Sequence, residues 1–237
     1  MNTQLIENYY RKLPLFSSLK DDDFKKLINK SKIELHNSGS NIIEQGDISK
    51  SVYFLIYGSV HVIDYSRLDR AVTYASLKDG DMFGEMSAID GFPRSAWVSA
   101  VTQCQVICLS GETFLEIIKS NSEVCFILLK QFSSRIRLAD ERISEVAVLG
   151  AEQRACVEII RMLKINEKDH KTYIIENMPT QANFASMIGS TRETVSRIFT
   201  KLRLESILIK TDDGYIVPNK KALERKAFNC FIVNFAY

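Results

Sequence analysis

The sequence predicts an α+β protein in three parts: a sandwich or barrel of short strands, a long helix, and a smaller domain built on a helix-turn-helix. Three observations carry this. Residues 32–110 break into short β-rich runs, "KIELH", "NII", "SVYFLIY", "SVHVIDY", "AVTYASL", "AWVSAV" and "QVICL". Turn residues separate them at Gly39, Gly46-Asp47, Gly58 and Asp79-Gly80-Asp81, as in a sandwich or barrel. Residues 121–149 then contain neither Pro nor Gly and repeat apolar residues at heptad spacing, and residues 151–237 alternate amphipathic helices with a hairpin.

Taken in order, residues 3–30 read as helix in two pieces, broken at Pro14. The strand region follows. In the long helix, Leu129, Phe132, Ile136, Ala139, Ile143 and Val146 alternate three and four apart. Arg135, Arg137, Asp140, Glu141, Arg142 and Glu145 flank them and leave a narrow apolar stripe. A narrow stripe suits a seam between the helices of two subunits better than burial on one domain's own core. Gly150 ends this helix and offers a hinge. "EQRACVEIIRMLK" is an amphipathic helix, and "TQANFASMIG" and "TRETVSRIFTKLR" are two more, joined by a short "GS" turn. "ILIKTDDGYIVP" is a hairpin about Asp-Asp-Gly. The expected divisions are therefore 1–120, 121–149 and 150–237.

Composition narrows the function classes. The chain has 237 residues, 46% of them hydrophobic, and a net charge of +2. Residues 150–237 hold 14 Lys+Arg against 10 Asp+Glu, a weak basic bias that suits a polyanionic partner. Cys104, Cys108, Cys125, Cys156 and Cys230 are odd in number and scattered, unlike a disulfide framework. No signal peptide and no run of 18 apolar residues is seen, so a cytoplasmic protein without a membrane partner is expected. His36, His61 and His170 are isolated, and Cys104 and Cys108 alone make no four-ligand set, so no metal, haem or iron–sulfur cluster is expected. Paired carboxylates and a nucleophile–base set are also missing, which disfavours an enzyme.

Two stretches carry chemistry. In the first, Ala185, Ile188 and Val195 flank Gly189 as two helices meeting at a tight turn would require. Thr191 is a good N-cap for the second helix, with Thr194 at its third position. Arg192, Glu193, Ser196 and Arg197 then share its first turn and a half, in face-sharing pairs four apart. Arg can hydrogen-bond guanine twice and Glu can accept from the cytosine amino group, so this helix suits G·C pairs in a major groove. A merely solvated charged face is the alternative.

The second stretch is "FGEMSAIDGFPRSAWV", residues 83–98. Gly84 admits close backbone approach, and "EMSAI" forms one helical turn whose N-terminus offers free backbone amides. Arg94 offers a forked donor for phosphate oxygens. Glu85 repels a phosphate but accepts from a hydroxyl such as a ribose 2′-OH. Acid and base together suit a ligand with a sugar hydroxyl beside a phosphate. A structural Glu85–Arg94 salt bridge is the alternative that the residues leave open.

These residues resemble those of the cyclic-AMP receptor protein/FNR (CRP/FNR) family of bacterial transcription regulators. "FGEMSAIDGFPRSAWVSA" looks like the family's phosphate-binding cassette, "YFLIYGSVHV" is similar to the strand–Gly–strand step before it, and "STRETVSRIF" resembles its recognition helix. The similarity covers about residues 10–220. It implies a jelly-roll-like, cyclic-nucleotide-binding β-roll, a long dimerisation helix and a winged helix-turn-helix. It also implies that Gly84, Glu85, Met86, Arg94 and Ser95 hold a cyclic nucleotide, and that Thr191, Arg192, Glu193, Thr194, Ser196 and Arg197 meet DNA. The effector it implies is cyclic AMP sooner than cyclic GMP. The partners it implies are a second copy of the chain, a near-palindromic duplex with TGTGA or TTGA half-sites, and RNA polymerase. In the cyclic-AMP sensor, consecutive Thr and Ser hydroxyls meet the base; here Ala139 and Asp140 stand at those positions. A regulator active without nucleotide and a nucleotide-controlled protein-interaction module are the rival expectations. The apolar tail 227–237, ending "AFNCFIVNFAY", has no assigned role.

Overall fold

A computed structural model describes residues 2–67, 70–167, 171–176, 178–212 and 214–228. The chain divides into two compact units, Met1–Leu138 and Ala139–Tyr237. The division cuts the long helix instead of falling at either of its ends.

The first unit opens with α1 (Asn2–Tyr10), a 3-10 turn (Pro14–Phe16) and α2 (Asp21–Asn29). Strands β1 (Ser31–His36), β2 (Asn41–Ile43), β3 (Val52–Tyr57), β4 (Ser59–Arg67), β5 (Arg70–Lys78), β6 (Met82–Phe83), β7 (Trp97–Ala100) and β8 (Cys104–Leu109) follow. Between β6 and β7 lies α3 (Glu85–Asp90). The strands form two antiparallel sheets, ordered β1-β8-β3-β6 and β2-β7-β4-β5. Ile43, Leu55, Val60, Phe83, Val98 and Val106 come from both sheets and form one core between them. The other face of the first sheet is buried too. Val52, Phe54, Ile107 and Leu109 pack there with Tyr10, Phe16, Phe24 and Leu27 from the N-terminal helices. A strand covered on both faces loses the alternation of apolar and polar residues, which is why "VYFLIY" reads as an unbroken apolar run.

After β8 come α4 (Gly111–Ser120) and α5 (Ser122–Val148). The Ser110 side chain caps α4 by accepting from the Thr113 amide. Val124 and Leu128, on the first turns of α5, are buried in the same core as Phe54, and Phe132 packs against that core.

The second unit holds the end of α5, then α6 (Ala151–Met162), α7 (Gln181–Met187), α8 (Arg192–Leu204) and α9 (Lys220–Phe228). Its sheet has the order β11-β12-β10-β9, made of β9 (Lys164–Ile165), β10 (Tyr173–Ile175), β11 (Ile209–Thr211) and β12 (Gly214–Val217). Ile159, Phe184, Val195, Phe199, Leu202, Val217 and Leu223 make its core. Phe184 meets Phe199 edge-on, tying the two central helices together. Ala227 is buried in this core and Phe228 packs on it. The remainder of the apolar tail, 229–237, lies outside the described residues.

Candidate functional site

The cassette around α3 depends on backbone geometry that few residues adopt. Gly84 has φ +81°, in the left-handed region. A Cβ built on it would sit 2.8 Å from Arg94 Nη1 and 2.9 Å from the Ser51 carbonyl oxygen. Gly84 therefore makes room for the arginine of its own cassette, beyond any room it leaves for a ligand. Gly84→Ala is expected to destabilise the ligand-free protein by about 1–3 kcal/mol, from the positive φ and the clash together. Thermal unfolding checks this, and an unchanged midpoint rejects it.

Arg94 is buried, with 3% of its surface exposed. Its Nε donates to Ser49 Oγ at 3.1 Å, Nη1 to the Gly84 carbonyl at 2.7 Å and Nη2 to the Ser51 carbonyl at 2.7 Å. Burial pulls its pKa below the ordinary guanidinium value, opposed by nearby groups that include Asp47 and Glu85. Backbone pairs fix the segment as well. Gly46 N–H donates to the Arg94 carbonyl at 2.9 Å, and Arg94 N–H donates to the Asp47 carbonyl at 2.8 Å. Lys50 Nζ closes the turn after α3 by donating to the carbonyls of Gly91 and Phe92, each at 2.7 Å.

Glu85, also 3% exposed, pairs with Arg135 of α5. Arg135 Nη2 donates to the Met82 carbonyl at 3.1 Å as well. Glu85 and Arg94 thus have separate partners, and no direct salt bridge joins them. That alternative, left open by the sequence, is set aside. Arg135 was legible only as one charge flanking the heptad stripe, because its acidic partner lies 50 residues away in sequence. Ser95 is exposed, and its Oγ donates weakly to Met86 Sδ at 3.8 Å. Ala139 and Asp140 are exposed on α5.

The second unit places the helix-turn-helix residues as follows. Gly189, at φ +60°, makes the turn between α7 and α8. Ala185, Ile188 and Val195 are buried about it. Thr191 Oγ1 accepts from the Thr194 amide at 3.3 Å and so caps α8. Arg192, Glu193 and Arg197 are exposed and Ser196 is half-buried at the start of α8. Arg197 Nη2 donates to Thr194 Oγ1 at 3.2 Å, which leans the guanidinium back along the helix. Strands β11 and β12 form the expected hairpin, although Asp213 at its tip lies outside the described residues. Strands β9 and β10 complete the sheet and were not foreseen; two- and three-residue strands carry too little periodicity to detect.

Along α5, Leu129, Ile136, Ile143 and Val146 are between 55% and 69% exposed within one chain. Phe132 does not stand with them, because it packs on the N-terminal core one turn after Leu128. Burial raises the pKa of Cys104 and Cys108, which keeps these thiols protonated. Cys104 donates to the carbonyls of Ser59 and Thr102. Among the described residues no group of three or more His, Cys, Asp or Glu could hold a metal ion. His170 and Cys230 lie outside the described residues. No helix of the described residues is long and apolar enough to cross a membrane.

Residues 35–121 match the model of the cyclic nucleotide-binding domain, and residues 154–226 match that of the Crp-like helix-turn-helix domain. The chain belongs to the CRP/FNR family of transcription regulators. Among curated relatives, the cAMP-activated global transcriptional regulator CRP of Salmonella typhimurium is 27% identical over 179 residues, covering 74% of this chain and 84% of that protein. The cAMP-activated regulator Vfr of Pseudomonas aeruginosa is 26% identical over 179 residues, covering 73% and 83%. Of solved structures, a CooA variant from Carboxydothermus hydrogenoformans has a TM-score of 0.74 at 16% identity, covering 91% of this chain and 94% of that one. FixK2 from Bradyrhizobium japonicum has a TM-score of 0.71 at 18% identity, covering 83% and 96%. At those identities the structures speak for the fold alone. Both matched domains are binding domains, so this CRP/FNR protein is a transcription regulator and not an enzyme. The Gly84–Ser95 segment lies within the first matched span, and α8 lies within the second.

Proposed function

We propose that this chain is a homodimeric, cytoplasmic transcription regulator controlled by a 3′,5′-cyclic purine nucleotide, cyclic AMP before cyclic GMP. One observation carries the ligand half of this reading. The cassette buries an acid and a base that have separate partners, so each retains capacity for a different group of one ligand. Arg94 and Ser95 take the cyclic phosphate, helped by amides at Met86, and Glu85 accepts from the ribose 2′-OH. Glu85 already holds Arg135, so a change at the ribose reaches α5 directly. Ala139 and Asp140 are the proposed base-facing positions. The Asp140 carboxylate accepts from an exocyclic amino group, and Ala139 contributes no side-chain hydrogen bond. The cAMP-activated relatives favour adenine.

In this reading residues 1–120 sense, residues 121–149 pair two subunits, and residues 150–237 bind DNA. Arg192, Glu193, Ser196 and Arg197 meet bases, while Thr191 and Thr194 set the start of the helix. The nucleotide acts as a switch only through different affinity for two arrangements of the paired subunits. Two recognition helices related by a two-fold axis read a near-palindrome with half-sites about one turn apart. RNA polymerase is the partner expected from the family.

Calorimetry with cyclic AMP and cyclic GMP tests the ligand, and the absence of heat at millimolar concentration overturns it. Arg197→Ala is expected to weaken specific DNA binding by about 1–3 kcal/mol and to relax the preference at one G·C pair. Gel shifts over a salt series check this, since phosphate contacts make affinity fall as salt rises. An unchanged G·C preference refutes the assigned helix.

One feature favours a second reading, a regulator active without nucleotide. Arg94 and Glu85 both bond to groups of this same chain, a set of contacts that needs no ligand to complete it. Operator binding that is equal with and without nucleotide is its signature.

A further inference from the structure

The segment Gly46–Ser51, "GDISKS", has no assigned part in ligand binding, yet all of it except Ile48 holds the cassette. Four of these residues do so with backbone groups or by reaching backbone carbonyls: Gly46, Asp47 and Ser51 through their own peptide groups, and Lys50 through its amine. Ser49 alone joins two side chains. Its Oγ donates to Asp47 Oδ2 at 2.9 Å and accepts from Arg94 Nε at 3.1 Å. The Ser49 amide also donates to Asp47 Oδ1 at 3.2 Å, so the carboxylate is gripped at both oxygens. These two bonds hold the Asp47 carboxyl below its ordinary pKa, which keeps it charged.

The direction of this chain is fixed by chemistry. A guanidinium only donates and a carboxylate only accepts, so the one hydroxyl proton points to Asp47 and the oxygen lone pair to Arg94. A hydroxyl polarised by a carboxylate is a stronger acceptor. Arg94 has five N–H groups in one rigid plane. Three of them go to Ser49 Oγ, Gly84 O and Ser51 O, which leaves one on each Nη nitrogen. Those three bonds reach a hydroxyl and two carbonyls, with no carboxylate among them. The negative charge of Asp47 meets the buried cation by way of Ser49.

We infer that Ser49 is a positioning residue, which links the charge of Asp47 to Arg94 Nε and fixes the guanidinium plane with its two remaining Nη protons kept for the nucleotide phosphate. This rests on the cyclic-nucleotide reading above. Ser49 touches no ligand itself in this scheme; it acts through Arg94. Ser49→Thr keeps the hydroxyl, whereas Ser49→Ala removes it. Asp47→Asn keeps an acceptor and removes the charge.

The test is a double-mutant cycle on the full chain, titrated with cyclic AMP by calorimetry. Ser49→Ala is expected to weaken binding about tenfold, as for one hydrogen bond to a charged group. Asp47→Asn should weaken it less, and Ser49→Thr should restore most of the affinity. In an Arg94→Lys background, which has no Nε–H, Ser49→Ala should change nothing further. Equal losses in both backgrounds, or wild-type affinity for Ser49→Ala, overturn the inference while the nucleotide reading stands. No binding by the wild type overturns that reading, and the inference with it. A ligand-free measurement separates the two. The Arg94 Nε–H signal should exchange with water faster in Ser49→Ala than in the wild type, and an unchanged rate removes the Ser49 bond itself.

Discussion

Arg94→Leu is expected to abolish binding of the cyclic nucleotide and also to lower the stability of the ligand-free protein by about 1–3 kcal/mol. The first effect follows from the proposed phosphate contact, since leucine offers no donor to an anion. The second follows from the three hydrogen bonds Arg94 makes inside the protein. Removing it strands the carbonyls of Gly84 and Ser51 and the hydroxyl of Ser49. Part of that cost returns, because the cation also gave up its hydration on burial. A ligand arginine waiting in an open pocket would show the first effect without the second. Calorimetry and thermal unfolding on the same sample read both. Wild-type stability would show that the three internal bonds contribute nothing, and retained nucleotide binding would reject Arg94 as the phosphate ligand.

Ile143→Asp is expected to convert the proposed dimer to a monomer and to abolish tight operator binding at nanomolar protein, while leaving unfolding of each chain nearly unchanged. Ile143 is 69% exposed in the single chain, so its replacement removes no packing from the fold. In a paired seam the same position faces its counterpart across a two-fold axis, and two carboxylates would meet in an apolar contact. A monomer reads one half-site and loses the contribution of the second. Sedimentation measures the first effect and a gel shift the second. A dimer that survives Ile143→Asp would place the interface elsewhere.

Local chemistry made much of this protein legible. Strands β1, β2, β3, β4, β5, β7 and β8 were each visible as a β-rich run bounded by turn residues. The Thr191 cap, the Gly189 turn and the buried Ala185, Ile188 and Val195 followed from spacing alone, because a cap and its helix lie within four residues of each other. Strand β6 and helix α4 were missed. The first has two residues; the second was hidden because "GETFLEIIKS" adjoins the longer helix without a Pro or Gly to mark the break. In the cassette, Glu85 and Arg94 were named, but their partners were not. Ser49 is 45 residues from Arg94, and Arg135 is 50 from Glu85.

The sequence by itself determined the longer strands and helices, the acid and base between Gly84 and Ser95, and the capped start of α8 with its exposed Arg192, Glu193 and Arg197. These depend on interactions among neighbours in the chain, at periods of two and 3.6 residues. Only the tertiary structure decided that Arg94 is a buried brace and that Glu85 answers to Arg135. It also decided that Phe132 packs inward while Ile136 and Ile143 stay exposed. A side chain's partner across a sheet or a helix face is set by how the backbone folds back on itself. That is a long-range outcome of core packing, which residue spacing does not encode.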